Sequence, residues 1–349
     1  MTAPRPERPE RPSPAWPTAA PADVGVDRDV LDGDLVELLG SNKTNAAALV
    51  VGGKLVWEHY WNGHGPTSRF NTFSVAKGFA CACIGLLNDD GKLSVDDPAC
   101  KYLPEWAGDA RRAITIRHLL TMTSGLKLDY HGFYAEPDST AAALRWPLEH
   151  PPGTVCCYEQ ATAAALSPIV KRITGMQPLD FLRARILDPI GAHEIDWEAT
   201  PHGDSLTWRS ILASARDLAR FGWFLHRGGI WDGRQLLSAD WIRRMTTHEA
   251  WLDGLPSGGG EKPFRRMNWG WMCFVNAHGI WPGVGADCFS LSGAYGNKCL
   301  VDKQHDFVFT RLVTPAGVAR QDYPPYANDL DSTDRGTPRI WQAVLKAFR

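Results

Sequence analysis

A serine and a lysine three residues apart are the side chains of this 349-residue chain best suited to chemistry. Ser74 and Lys77 open an apolar run of small residues, 73–87, whose spacing predicts the start of a buried helix. Residues three apart on a helix are neighbours, so Lys77 is expected beside the Ser74 hydroxyl. A serine hydroxyl needs an adjacent base, and a buried lysine can supply one because burial disfavours its charged form. The pair therefore predicts a nucleophilic serine with a lysine base.

The same spacing occurs a second time, where it has a plainer interpretation. Ser124 and Lys127 flank Gly125 directly after a helix-like segment, which indicates a turn with a solvated lysine. A lysine just inside an apolar helix also often extends its side chain to the surface. The Ser74 spacing alone therefore leaves both interpretations open, and the surrounding sequence has to favour one of them.

The elements around Ser74 predict an α+β fold. Residues 46–61 have the pattern of a β-hairpin with its turn at Gly52-Gly53-Lys54, and residues 97–205 are mostly helical or loop-like. A closing helix is predicted at 338–348. Four short strand patterns return before that helix, at 269–277, 288–291, 294–302 and 307–313.

These patterns predict an antiparallel sheet built from both chain ends and flanked by helices, with a mostly helical region inserted between them. Residues 22–96 and 206–349 form the predicted sheet domain, and residues 97–205 form the predicted inserted domain. Residues 1–21 contain seven prolines and predict a disordered arm.

The composition argues against several classes of function. The formal net charge of −2 gives no basis for binding nucleic acid or an anionic membrane. The eight cysteines are too sparse for a disulfide scaffold and include no Cys-x-x-Cys pair. Without a signal peptide or an 18-residue apolar run, the sequence predicts a cytoplasmic protein with reduced thiols. The sequence does not predict an oligomeric state.

Several segments resemble the class C β-lactamase-like family of serine hydrolases, and they occur in that family's order. The resemblance runs from about residue 46 to 314, which is most of the chain. The family includes β-lactamases, D-Ala-D-Ala peptidases, esterases, amide hydrolases and acyltransferases. The matching segments are Phe73-Ser74-Val75-Ala76-Lys77, 88–98, 101–106, 114–126, Pro151-Pro152-Gly153-Thr154 with Tyr158, and 214–222.

The resemblance implies three catalytic motifs, of which Ser74 and Lys77 match the first. The second is Tyr-x-Asn, and its equivalent here is Tyr158-Glu159-Gln160, just before a predicted helix at 161–174. A phenol near a cationic lysine ionises more easily, so Tyr158 is expected to join the base and to pass a proton to the leaving group. Gln160 lengthens the amide arm with which relatives hold a substrate. Tyr-x-Asn also occurs literally, in less suitable contexts, at Tyr60, Tyr295 and Tyr326.

Leu291-Ser292-Gly293 is the best match to the third motif, which is usually Lys-Thr-Gly or His-x-Gly and is Trp-Gly-Gly in some esterases of the family. The match implies that these residues border the substrate, and that the backbone N–H groups of the serine nucleophile and Ala294 bind the oxyanion. Relatives carry a cation at the Leu291 position for a β-lactam or peptide carboxylate, so its loss argues against penicillin as the natural substrate. An alternative alignment takes the charge from Lys298, past the turn.

Aromatic side chains and a glycine-rich loop are further candidates for the pocket. Trp208 and Tyr130 are predicted to bind substrate at its walls, and residues 255–263 form a Pro/Ser/Gly-rich loop that would border the site. The chain has no Gly-x-Ser-x-Gly elbow, phosphate-binding loop or His-Glu-x-x-His, and the spacing of His59 and His64 is not that of a metal site. The predicted chemistry therefore requires no cofactor and no metal.

Together these residues predict an enzyme that forms an acyl-enzyme at Ser74 from a small-molecule ester or amide. Hydrolysis is favoured because Leu291-Ser292-Gly293 resembles the esterase variant of the third motif. Acyl transfer to an amine or alcohol in a biosynthetic pathway would use the same residues and stays open. A catalytically silent ligand-binding protein also stays open, because Gln160 and Leu291 depart from the family pattern. The acyl group and its acceptor are not predicted.

Overall fold

The computed structural model of the protein describes residues 13–258, 269–317 and 336–348. A large sheet lies at its centre, and its strands are β1 (Ala46–Val51), β2 (Lys54–Tyr60), β8 (Phe274–Val275), β9 (Phe289–Gly293), β10 (Asn297–Asp302) and β11 (Phe307–Leu312). The strand order is β2-β1-β11-β10-β9-β8, and every pair is antiparallel. Both chain ends thus contribute to one sheet, which confirms the predicted α+β architecture.

Two small sheets complete the β-structure. A three-stranded sheet in the order β3-β5-β4 consists of β3 (Phe70–Asn71), β4 (Asp196–Trp197) and β5 (Ile211–Ala213). A two-stranded hairpin consists of β6 (Ile230–Trp231) and β7 (Arg234–Gln235). Strand β3 lies directly before the Ser74 turn in the chain, and the three-stranded sheet takes part in positioning that turn.

The helices surround the large sheet and fill the inserted region. They are α1 (Arg28–Val30), α2 (Val36–Ser41), α3 (Ala76–Asp89), α4 (Ile116–Leu120), α5 (Tyr130–Ala135), α6 (Ser139–Arg145), α7 (Gln160–Ala164), α8 (Leu166–Thr174), α9 (Pro178–Leu182), α10 (Ala215–His226), α11 (Ala239–Met245) and α12 (Gly336–Leu345). A π-helical turn, Leu31–Leu35, joins α1 to α2. None of the helices within the described residues has the length and apolar composition needed to cross a bilayer.

Helices α10 and α12 cover opposite faces of the sheet. A Cβ on Gly222 of α10 would lie 2.6 Å from Cys299 Sγ, whereas the Trp341 indole of α12 donates to Asp302 Oδ2 at 2.6 Å. Residues 299 and 302 are an odd number of positions apart on β10, so their side chains point to opposite faces. The sheet is therefore covered on both faces and supplies the rigid centre of the molecule.

Helix α3 forms where the sequence predicts it and is buried along nearly its whole length. Residues 76–87 have almost no exposed surface. Two glycines allow close packing, because a Cβ on Gly78 would lie 2.6 Å from Leu291 and one on Gly85 would lie 2.4 Å from Trp241. Burial raises the pKa of the Cys81 and Cys83 thiols on this helix, so both side chains act as small core residues.

The segment 13–21 differs from the predicted disordered arm. Trp16 is 8% exposed, Pro17 O accepts a hydrogen bond from Leu55 N–H at 2.8 Å, and the Ser13 hydroxyl donates to Asp217 at 2.5 Å. A single large aromatic side chain and paired backbone groups therefore fix a stretch whose proline content indicates disorder. Residues 1–12 of the predicted arm lie outside the described residues.

Two predicted strands are shorter than their patterns. The stretch 269–277 forms a strand only at Phe274–Val275, because Gly270 packs against Met245 O and Met272 has a φ of 60°. The stretch 294–302 begins with a 3-10 turn, in which Tyr295 has a φ of 62°, and becomes extended at Asn297. Left-handed residues interrupt the extended backbone at both places.

The region 97–205 contains the short helices α4 to α9 joined by loops, as its sequence predicts. The domain boundaries at 96/97 and 205/206 stay predictions. Parts of three other predictions lie outside the described residues: residues 259–263 of the glycine-rich loop, residues 259–268, 318–335 and 349 of the sheet domain, and Tyr326.

Candidate active site

Ser74 lies in a 3-10 turn, Phe73–Val75, that runs directly into α3. Phe73 has a φ of 51°, in the left-handed region that non-glycine residues seldom occupy. Its backbone is fixed there, since Phe73 N–H donates to Asn71 Oδ1 at 3.0 Å and Phe73 O accepts from Ser210 N–H at 3.1 Å. The residue before the serine is thus held by the segments of the three-stranded sheet, and the hydroxyl is presented at the start of the helix.

Lys77 lies one turn along α3 with its side chain fully buried. Its Nζ is 3.2 Å from Ser74 Oγ, 2.8 Å from Gln160 Oε1 and 2.7 Å from Trp208 O. An amide oxygen and a carbonyl oxygen only accept hydrogen bonds, so these two partners can take both protons of a neutral amine. The same Nζ is within hydrogen-bond distance of the serine hydroxyl, which is where a lysine base would have to lie.

Tyr158 lies against Lys77 and is held from several directions. Lys77 Nζ is 4.8 Å from the centroid of the Tyr158 ring, and Tyr158 O accepts a hydrogen bond from the Tyr130 hydroxyl at 3.1 Å. Trp269 contacts the ring edge-on at 5.4 Å, and Phe274 lies nearly parallel to it at 6.2 Å. The structure therefore brings Ser74, Lys77 and Tyr158 together, with an aromatic wall beside Tyr158 that the sequence did not predict.

The literal Tyr-x-Asn copies lie in other surroundings. The Tyr60 hydroxyl donates to Glu58 at 2.7 Å, and burial raises the pKa of Tyr60. Tyr295 packs against Phe73, with 5.2 Å between ring centroids. Three candidates for the second motif lie within the described residues: Tyr60, Tyr158 and Tyr295. Among these three, Tyr158 is the one whose ring contacts Lys77.

Glu159 is a buried acid between Tyr158 and Gln160. Its carboxylate caps α7 by accepting from Ala161 N–H at 2.7 Å and from Thr162 N–H at 2.6 Å. Burial raises the pKa of Glu159 to about 7, although the capping hydrogen bonds and the nearby charge of Lys77 act in the opposite direction. No role for Glu159 is predicted from the sequence. An acid just before a predicted helix is nevertheless an N-cap signal, which could have indicated its capping role.

Gly293 brings the end of β9 against the Ser74 turn. A Cβ at this position would lie 1.9 Å from Thr72 O and 3.3 Å from Ser74 N, so the approach requires glycine. Ala294 then begins the turn in which Tyr295 packs on Phe73. The backbone N–H groups of Ser74 and Ala294 thus belong to two segments packed against each other, as an oxyanion hole needs.

Two side chains that the sequence analysis missed hold the turn after β9. Asn297 Nδ2 donates to Ala294 O at 2.7 Å, and Arg311 Nη1 donates to Gly296 O at 2.9 Å. Arg311 is fully buried on β11, and its Nη2 also donates to Asn42 O at 2.6 Å. A buried guanidinium bonded to backbone oxygens thus links the turn after β9 to the end of α2.

Leu291 and Ser292, predicted to bind substrate, have little exposed surface, at 1% and 6%. Leu291 packs on Gly78 of α3. Ser290 and Ser292 point to the opposite face of β9, where their Oγ atoms lie 2.8 Å apart. Lys298, the alternative source of a cation, is also buried and lies opposite Ser292 on β10. Leu291 therefore fills the core beneath helix α3.

Trp208 and Tyr130, predicted as pocket walls, contact the candidate catalytic residues. Trp208 is 2% exposed; its carbonyl accepts from Lys77, and its indole N–H donates to Ser139 Oγ at 3.0 Å. The Tyr130 hydroxyl holds the Tyr158 backbone. Sequence reasoning missed both roles because a backbone carbonyl partner leaves no trace in the residue pattern.

The second Ser-x-x-Lys copy has the predicted features of a turn with a solvated lysine. Ser124 Oγ lies 2.5 Å from Thr162 Oγ1 in the interior. The Lys127 side chain is exposed, with Nζ 3.7 Å from Asp129 Oδ2. The serine and lysine of this copy thus have separate partners, in contrast to Ser74 and Lys77.

Comparison with known proteins finds one family model and several similar sequences. A family model described as Beta-lactamase matches residues 40–331. The 6-aminohexanoate-dimer hydrolase of Paenarthrobacter ureafaciens is 26% identical over 326 residues, covering 84% of this chain and 79% of that protein.

Two solved structures share the fold. A putative 6-aminohexanoate-dimer hydrolase from Bacillus anthracis superposes with a TM-score of 0.72 at 21% identity, covering 96% of this chain and 87% of that one. A family VIII carboxylesterase superposes with a TM-score of 0.68 at 17% identity, covering 95% of this chain and 99% of that one. At these identities the superpositions show the fold alone.

Proposed function

Because the chain belongs to the beta-lactamase family, we propose that it is a serine hydrolase that forms an acyl-enzyme at Ser74 from a small ester or amide. The observation that carries the proposal is the position of the buried Lys77 Nζ, 3.2 Å from Ser74 Oγ and fixed by Gln160 and Trp208 O. A lysine held in this way is the base that a serine nucleophile lacks by itself.

In the proposed reaction, Ser74 Oγ attacks the substrate carbonyl while its proton moves to Lys77. The N–H groups of Ser74 and Ala294 bind the oxyanion, and one such donor is typically worth about 2.7–4 kcal/mol in the transition state. Collapse of the tetrahedral intermediate breaks the bond to the leaving group, which takes a proton through Tyr158. Water then attacks the acyl-enzyme with the help of the same base, which releases the acid and restores Ser74.

Two observations favour a substrate class: the site has Leu291 where the family has a cation, and one relative is named for its substrate. Leu291 leaves no cation at the position where the family binds a substrate carboxylate, which favours substrates that carry no carboxylate there. The relative from Paenarthrobacter ureafaciens is named for a dimer of an amino acid, and such a dimer is joined by an amide. Linear amides therefore join short-chain esters as the substrates to test first.

Intact-protein mass spectrometry after mixing with a short-chain p-nitrophenyl ester tests the proposal. The native chain should release nitrophenol and either gain the mass of one acyl group or turn over, and Ser74→Ala should do neither. Ser124→Ala, which removes the serine of the other Ser-x-x-Lys copy, is the matched control and should acylate like the native chain. Added amines and alcohols then distinguish transfer from hydrolysis by their acylated products.

Failure of the native chain to label or turn over, with either esters or linear amides, would contradict the proposal. A fluorophosphonate that also leaves Ser74 unlabelled would favour a ligand-binding protein without catalysis. Equal loss of acylation in Ser124→Ala would mean that the spacing at Ser74 has no special role.

A further inference from the structure

A second group of chemically active side chains lies apart from Ser74 in the chain. His248 follows α11, Asp253 lies in the 3-10 turn Ala250–Gly254, and His278 lies in the turn after β8. One nitrogen of each histidine and one carboxylate oxygen lie within 4.8 Å of one another. Three separate segments therefore converge on one point.

The distances within this His248–Asp253–His278 cluster are those of a ligand set. Asp253 Oδ1 is 2.9 Å from His248 Nε2 and 3.1 Å from His278 Nε2, and the two rings are 75° apart. Ligands bound to a tetrahedral zinc ion by bonds of about 2.0–2.1 Å lie about 3.3 Å from one another. Small side-chain movements would therefore bring these three atoms to an ion's coordination sphere.

One ring nitrogen of His248 is already paired with a backbone carbonyl, and the other faces the cluster. His248 Nδ1 lies 3.0 Å from Trp269 O, and because a carbonyl oxygen only accepts, Nδ1 must carry a proton. Nε2, the other ring nitrogen, then lies 2.9 Å from Asp253 Oδ1. Nε2 is thus the His248 atom placed to bind an ion together with Asp253 and His278.

The surroundings of His248 are those of a metal ligand. Histidines that bind metals almost always donate their other ring N–H to a carbonyl or carboxylate, which fixes the ring. The His248 side chain is 5% exposed and is oriented in this way by Trp269 O, whereas Asp253 and His278 are 42% and 31% exposed. The cluster thus combines one buried, oriented ligand with two that face solvent.

We propose that His248, Asp253 and His278 bind a divalent transition-metal ion of the zinc class, with water at the remaining position. Two imidazoles and one carboxylate are a donor set that suits zinc. The set is not predictable from the sequence, because its members are 5 and 25 residues apart along the chain and match no metal-binding motif.

The ion would have a positioning role. His248 holds the carbonyl of Trp269, and the Trp269 ring contacts Tyr158 at 5.4 Å. An ion that ties α11, the 250–254 turn and the turn after β8 together would therefore stabilise the aromatic wall beside Tyr158. The site itself does not depend on the proposed acyl chemistry, because none of its ligands belongs to the Ser74 site.

Isothermal titration of the full-length protein with ZnCl₂ at pH 7.5, after chelator treatment and dialysis, tests the proposal. One ion should bind per chain, and a saturating concentration should raise the melting temperature because the ion binds the folded state. Asp253→Asn and His278→Gln should each weaken binding at least about tenfold, as loss of a ligand does. His202→Gln, at an exposed histidine 3.6 Å from Asp138, is the matched control and should bind like the native chain.

Circular dichroism and metal-free melting temperatures establish that each variant is folded, and both substituted side chains are exposed enough for this to be expected. Zinc affinity should also fall with decreasing pH, because protons compete for the imidazoles. The absence of saturable binding at pH 7.5 would overturn the proposal. Binding of equal strength in Asp253→Asn and His278→Gln would also overturn it, since the ion would then lie elsewhere.

Discussion

Lys77 is the residue whose contacts define the proposed chemistry, so its replacement is the first prediction. Lys77→Met keeps the volume and apolar stem of the buried side chain but removes the amine that lies 3.2 Å from Ser74 Oγ. Loss of a general base typically costs 10²–10⁴-fold, and we expect a fall of about this size in kcat/KM for a p-nitrophenyl ester. Lys127→Met, the same change in the exposed copy, should leave kcat/KM unchanged. Equal effects of the two substitutions would argue against Lys77 as the base.

Glu159 makes the stability of the molecule depend on pH. Burial raises the pKa of this carboxyl group from its ordinary value near 4.5 to about 7, so the folded chain binds the proton more tightly than the unfolded chain. Stability contributed by Glu159 is therefore complete at low pH and declines as the pH rises from about 4.5 to about 7. Glu159→Gln keeps an acceptor for the capped N–H groups but cannot titrate.

The native chain should thus lose stability relative to Glu159→Gln, by an amount of order 3 kcal/mol, between pH 4.5 and 7. Urea denaturation of both proteins at several pH values measures this difference. Glu37→Gln, on an exposed side chain of α2, is the control and should show a much smaller change. A stability difference between the native chain and Glu159→Gln that stays constant across this range would show that Glu159 does not titrate there.

The close contact between β9 and the Ser74 turn is possible because Gly293 has no Cβ. Gly293→Ala would place a carbon 1.9 Å from Thr72 O, so the strand end and Ala294 must move away from Ser74. Displacing one oxyanion donor typically costs about 10²–10³-fold in kcat, and we expect a loss in this range. Stopped-flow acylation and the melting temperature, measured together, separate this effect from unfolding. Gly108→Ala has no atom within 4 Å of its new Cβ and should leave both quantities unchanged.

Local patterns predicted the elements better than they predicted the details of the site. The apolar run after Ser74 correctly predicted α3, and the Gly52-Gly53 turn correctly predicted the β1–β2 hairpin. Both glycines have positive φ. These predictions succeed because both patterns act through neighbouring residues. Phe73 and Tyr295 could not be predicted to be left-handed, because tertiary contacts, including their mutual packing, impose that conformation. The burial of Leu291 has the same origin, since Gly78 leaves the space that it fills.

For the whole molecule, the order of the motifs along the chain predicted a sheet built from both ends, and the strand order has this form. The exception is the segment 13–21. Its proline content predicted disorder, whereas the structure shows it packed against the rest of the chain. It docks on a surface assembled from distant parts of the chain: Trp16 packs on Arg220 of α10 at 5.0 Å, and Pro14 fits against Gly191. No local pattern in residues 1–21 encodes that surface, so composition alone indicated disorder.

Trp16 should therefore contribute to the stability of the sheet's edge. Trp16→Ala removes a side chain that is 8% exposed, and truncation of a buried tryptophan typically costs about 3–5 kcal/mol. The loss should not exceed the docking free energy of the segment, because beyond that point residues 13–21 detach while the rest stays folded. Hydrogen exchange should then show reduced protection of Leu55 N–H, which donates to Pro17 O at 2.8 Å. Trp251→Ala, at a tryptophan that is 40% exposed, should change neither the unfolding free energy nor this amide. Full protection of Leu55 in Trp16→Ala would mean that backbone pairing, and not the tryptophan, holds the segment.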